Sequence, residues 1–115
     1  MADLDRVYRA LAAEERRLAL ACLEHHRQLT LPDLAELVLE RQQDADVASL
    51  SGERLRDTYF QLYHTHVPVL EDCGLVRYSQ EDDLVAATDR IPAALDSVEE
   101  NVERLRAFPT DSIGD

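Results

Sequence analysis

Between Ser51 and Thr88 the hydrophobic period of the chain changes once, and this change constrains the fold more than any other feature. Over 52–73 the apolar side runs Leu55, Tyr59, Leu62, Tyr63, His66, Val69 and Leu70, which is helical spacing. Ser51 stands ready to cap that run, with Glu53 in its first turn. Pro68 lacks a backbone donor, so the spacing predicts a kink or break near Thr65. Gly74 is a natural stop. Leu75-Val76-Arg77-Tyr78-Ser79 and Leu84-Val85-Ala86-Ala87-Thr88 then flank the polar turn Gln80-Glu81-Asp82-Asp83, which reads as a β-hairpin. A long helix joined directly to a tight hairpin leaves few arrangements open.

Upstream there are three further helical runs. Asp3 can cap the first, whose apolar positions are Leu4, Val7, Tyr8 and Leu11. The second runs from about Ala13 to His26, with Glu14 and Glu15 at its start and His25, His26 and Arg27 at its end, as the helix dipole favours. Thr30-Leu31-Pro32-Asp33 opens the third, which continues to about Arg41 and buries Leu34, Ala35 and Val38. Gln42 to Leu50 reads as a loop. After the hairpin, Thr88 or Asp89 leads into a last helix over 91–108. The expected fold is therefore mostly α with a small β-hairpin. A helix pair followed at once by a two-stranded wing is the layout of a winged helix-turn-helix domain. Residues 1–108 form that one domain, and 109–115 read as a disordered tail.

Charge narrows the setting. Acidic residues number 24 against 12 basic ones, a formal charge of −12, and every basic residue is arginine. Such self-repulsion destabilises a small domain unless salt screens it, and at 1 M the screening length is about 3 Å. The acids are spread along the whole chain, so the sequence reads as halophilic. The first residues lack the basic and apolar regions of a signal peptide, and no stretch reaches the roughly 18 apolar residues of a membrane span. A cytoplasmic protein without membrane contact is expected. Cys22 and Cys73 fall among apolar residues and read as small core side chains, with a disulfide between them as the alternative.

One segment carries a family resemblance. Leu62-Tyr63-His64-Thr65-His66-Val67-Pro68-Val69-Leu70, followed by Gly74-Leu75-Val76-Arg77-Tyr78, resembles a small haloarchaeal winged helix-turn-helix family with the signature HxHxPxLxxxGLVxY. The segments Glu15-Arg16-Arg17-Leu18 and Leu31-Pro32-Asp33-Leu34-Ala35 are similar to that group as well. The resemblance covers roughly residues 5 to 90 and implies a role in transcriptional control in an archaeon. The chain departs from the group at Val69, where relatives often carry lysine.

In helix-turn-helix proteins the start of the recognition helix reaches base edges in the major groove of double-stranded DNA. Here that stretch offers Arg54, Arg56, Thr58 and Gln61, with His64 and Thr65 further along. Arginine pairs with guanine and glutamine with adenine. Arg77 on the wing is placed for a phosphate or the minor groove. Asp57 in the middle of this face and the −12 charge oppose DNA. The alternative is a winged-helix module that binds a protein partner.

Other chemistries are poorly served. His64 and His66 point to different sides of a helix, and neither cysteine nor paired carboxylate completes a tetrahedral metal set. His66 is expected in the core, hydrogen-bonded to the backbone. No nucleophile elbow, P-loop, zinc-protease or dinucleotide motif occurs, so neither cofactor nor catalysis is expected. The pairs Glu14-Glu15, Asp82-Asp83 and Glu99-Glu100 read as solvated surface. In the last helix Ile91, Leu95, Val98, Val102 and Leu105 step by 4, 3, 4 and 3, a short heptad seam. That seam is expected to pair two copies into a homodimer.

Overall fold

The structure, a computed structural model, describes residues 2–44 and 47–108. The expected tail, 109–115, lies outside them. In chain order the elements are α1 (Ala2–Leu11), α2 (Glu14–His26), β1 (Gln28–Thr30), α3 (Leu31–Gln43), a short 3-10 turn (Val47–Ser49) and α4 (Gly52–Gln61). A π-helical turn (Leu62–His66), α5 (Val67–Asp72), β2 (Val76–Ser79), β3 (Leu84–Ala87) and α6 (Ile91–Arg106) complete the order. The chain is mostly helical with a small three-stranded antiparallel sheet in the order β1-β3-β2. This is the arrangement of a winged helix: α2, α3 and the α4–α5 helix form the bundle, and β2–β3 is the wing.

The third strand is a correction to the two-stranded expectation. Gln28, Leu29 and Thr30 pair with Ala86, Val85 and Leu84. Three residues carry no readable alternation, and the turn into them is made by Arg27 at φ 71°, a left-handed position usually held by glycine. Asp3 also differs, because α1 begins at Ala2 and includes it.

The caps behave as their chemistry dictates. Thr30 Oγ1 accepts from the Asp33 amide at 3.3 Å, and Ser51 Oγ from the Arg54 amide at 3.1 Å. Pro68 sits in the first turn of α5 and has no amide to give. The preceding turn widens, so the Val67 amide bonds the Leu62 carbonyl. The expected break at Pro68 thus takes the form of a π turn within a continuous helical segment. At the end of α5, Gly74 at φ 77° allows the Leu75 and Gly74 amides to reach the carbonyls of Leu70 and Glu71, both at 3.0 Å. A Cβ on Gly74 would stand 2.9 Å from the Arg90 guanidinium.

The core is aliphatic. Leu20 and Leu23 of α2, Leu31, Leu34 and Val38 of α3, and Leu62 and Leu70 of the long helix meet Leu75, Val76 and Val85 from the wing. Cys22 and Cys73 are buried and free, as core thiols. Ile91 corrects the dimer-seam expectation, because at 1% exposure it belongs to this core. Leu95 and Val98 pack partly against it, whereas Val102, Leu105 and Phe108 are 39%, 74% and 71% exposed. The heptad spacing therefore serves two purposes: its first half seals the domain, and its second half is uncovered.

Arg16 and Arg17 give the Glu-Arg-Arg-Leu segment its role. α1 ends two residues before α2 begins, leaving its last carbonyls without helical partners. Arg16 Nε donates to the Ala10 carbonyl at 2.8 Å and its Nη2 to the Arg9 carbonyl at 3.0 Å. Arg17 Nη1 reaches the Leu11 carbonyl at 2.7 Å.

Candidate nucleic-acid interface

The α4–α5 helix divides its polar residues between three settings. On the side toward α3, Arg54, Asp57, Thr58 and Gln61 line a cleft of about 240 Å³ together with Gln42 and His66. Arg54 does not point freely to solvent. The Gln43 side-chain oxygen, in the amide orientation that satisfies both groups, lies 2.8, 2.9 and 3.2 Å from its guanidinium nitrogens. Phe60 and His64 form the outward ridge, with Asp57 and Gln61 exposed where the ridge borders the cleft. Arg56 is exposed, with no side-chain hydrogen bond or ion pair among the described residues, and Thr65 is exposed further along.

His64 and His66 separate as their spacing requires. His64 is outside, stacked at 6.0 Å on Phe60 one turn earlier. His66 is buried, but its partner is not the expected backbone group. Arg16 Nη1 lies 3.3 Å from its Nδ1, so Nδ1 accepts and the ring is neutral with its proton on Nε2. Burial and the Arg16 charge hold its pKa below the usual histidine value, and Glu15 opposes them weakly. Among the described residues no group of three or more metal-ligating side chains comes together.

The wing sets Arg77 apart from the helix and corrects the expectation for Asp83. Alternation along β2 turns Val76 and Tyr78 toward the helix, so Arg77 projects from the opposite face of the sheet and does not join Arg56. Asp83 is not solvated surface. It is half-buried at φ 50° and accepts from the hydroxyls of Tyr59, at 2.8 Å, and Tyr78. Its carbonyl accepts from the Leu31 amide at 2.8 Å. Tyr63 stacks on Tyr59 and meets Tyr78 edge-on at 6.0 Å, while Gln80 Nε2 donates to the Tyr63 hydroxyl at 3.2 Å. The Asp83 bond is the main reason the Tyr59 hydroxyl holds its proton more tightly than usual, whereas for Tyr78 burial leads and Asp83 adds to it. This aromatic clasp fixes the wing to the helix, and it joins residues that in the sequence belong to an apolar helix side, a strand and a turn.

Fold and surface together define a winged-helix domain with an exposed helix braced by its wing. The chain belongs to the family described as Domain of unknown function (DUF7344), whose family model matches residues 8–86. The match runs from α1 into β3 and leaves α6 outside it. No curated protein and no solved structure matches the chain. No helix among the described residues is long and apolar enough to cross a membrane.

Proposed function

We propose that this chain is a homodimeric DNA-binding transcription regulator of a halophilic archaeon, acting in the cytoplasm. The observation that carries the reading is the outward ridge of the α4–α5 helix with its exposed flanks, where Arg56, Gln61, His64 and Thr65 present hydrogen-bonding groups on an element tied to the wing. Such a ridge has the dimensions and chemistry to enter a major groove. Glu53 and Asp57 lie on the same helix, so attraction to phosphate is weak. At high salt that attraction is screened for any protein, and hydrogen bonds and DNA shape decide binding.

A random-sequence duplex screen in multi-molar KCl tests this reading. Enrichment of a palindromic motif is expected. Arg56→Ala should then weaken binding by about 1–3 kcal/mol, the worth of one bidentate base contact, and relax the preference at one position. No enrichment from folded protein, or an unchanged motif and affinity in Arg56→Ala, would reject this reading face. The second reading, a protein-binding module, is favoured by Phe60, which is 49% exposed in the middle of the ridge.

The dimer is assigned to the outer half of α6. Val102 lines a groove with Leu95, Val98 and Glu24, and Leu105 and Phe108 are exposed further along the chain. A second copy would cover them. Leu105→Asp leaves the core intact and should weaken dimerisation on the order of a hundredfold, because two leucines lose their burial in each dimer. Light scattering across a dilution series measures this, and an unchanged mass would place the contact elsewhere.

A further inference from the structure

The clasp between helix and wing leaves a pocket of about 350 Å³ whose walls are almost entirely aromatic: Tyr59, Phe60, Tyr63, His64 and Tyr78, closed on the wing side by Gln80 and Asp83. No arginine lines it. We propose that this pocket binds a guanidinium group, the side chain of an arginine presented by a partner protein. The pocket shares Phe60 and His64 with the outward ridge, but its remaining walls come from the helix–wing junction.

Ring geometry comes first. Tyr59 and Tyr63 lie within 12° of parallel, as do Phe60 and His64 within 19°, so the helix offers two pairs of aligned ring faces. Tyr78 stands at 85° to Tyr63 and forms the end wall. Flat, aligned faces suit a flat cation, and guanidinium stacks on aromatic rings where an ammonium makes only a point contact.

Charge supplies the second argument. Tyr59 and Tyr78 both donate their hydroxyl protons to Asp83. Accepting from both hydroxyls, the carboxyl group draws electron density toward the two rings, which strengthens their attraction for a cation. Glu81 and Asp82 stand on the same turn, and the chain as a whole carries −12. A polyanion is repelled here and a basic side chain is attracted. Asp83 and the Gln80 carbonyl group also offer acceptors to N–H donors at the rim.

N-acetyl-arginine amide, its citrulline analogue and its lysine analogue make the test. Citrulline keeps arginine's shape without its charge. The chain has four tyrosines and no tryptophan, and three of those tyrosines line the pocket, so their ring resonances and emission report occupancy directly. Arginine should shift Tyr59, Tyr63 and Tyr78 saturably and leave Tyr8 unmoved. Citrulline should bind at least about tenfold more weakly, as a cation–π contribution of roughly 1.4 kcal/mol requires, with lysine between the two. Tyr63→Leu keeps the helix packing apolar and should abolish the preference. Phe60→Ala, at an exposed position, should weaken arginine binding without disturbing the fold. Equal binding of citrulline, shifts confined to Tyr8, or no shift at all would overturn the proposal.

Discussion

Arg16→Ala is expected to lower the unfolding free energy by about 2–4 kcal/mol, a large share of the total for a domain of this size. The substitution leaves the Ala10 carbonyl at the end of α1 and Nδ1 of the buried His66 without the donor that now serves them, while the Arg9 carbonyl keeps the Ala12 amide at 3.2 Å. Stranding a part-buried acceptor costs more than the bond itself contributes, because the acceptor cannot recover water. Arg17→Ala is the internal control: it loses a single bond, to the Leu11 carbonyl, and should cost about 1 kcal/mol. Arg16→Lys should recover only part of the loss, since an ammonium has no planar fork to reach several acceptors at once. Urea unfolding in concentrated KCl measures all three. A loss below about 0.5 kcal/mol for Arg16→Ala would show that the arginine behaves as an ordinary surface charge.

The same pair makes stability depend on pH in a definite direction. In the folded chain His66 is held neutral, by burial first and by Arg16 second, so its folded pKa lies below the unfolded value of 6.5. Above that value both states leave the ring neutral and the stabilisation is complete. As pH falls through it, the unfolded chain takes up a proton that the folded chain resists, and stability declines until the folded pKa is passed. Most carboxylates titrate lower, so the window between pH 8 and 6 isolates this contribution. His66→Asn keeps an acceptor facing Arg16 but cannot titrate. Its stability should be flat across that window where the parent declines, and a parallel decline in both would assign the effect to another group.

What could be read from the sequence followed from local rules. Thr30 and Ser51 announce their helices by their own side chains, and Gly74 announces its stop, because cap chemistry lies within a few residues of the terminus it serves. The hairpin was visible because alternation and a polar turn are contiguous. The parts that escaped all depend on distant partners. Arg16 and His66 are 50 positions apart, and nothing in the spacing of either points to the other. Arg54 looked free to read DNA because Gln43 lies across a loop on another helix. Ile91 fitted a heptad whose first position the domain itself covers. Asp83 was hidden by its acidic neighbours in a turn that composition alone marks as solvent.

Asp83→Ala should cost about 3 kcal/mol of stability. Two phenol hydroxyls lose a charged acceptor, each bond being worth roughly 1.5 kcal/mol or more, and alanine must then hold the left-handed conformation at φ 50°, which adds about 1 kcal/mol. Some of this is recovered where the freed hydroxyls find water. Asp83→Asn separates the contributions: asparagine tolerates the backbone and keeps one acceptor oxygen, so about half the loss is expected. Tyr59→Phe and Tyr78→Phe each delete one donor and leave the ring in place. Combined with Asp83→Asn in double-mutant cycles, they should give coupling energies of about 1 kcal/mol or more, which groups without mutual contact do not show. The near-ultraviolet signal of the tyrosines should collapse in Asp83→Ala while the helical signal persists, because the wing loses its hold on the helix before the core gives way. If the cycles are additive, Asp83 serves its own turn alone, and the rigidity of the helix–wing junction must come from the stacked rings.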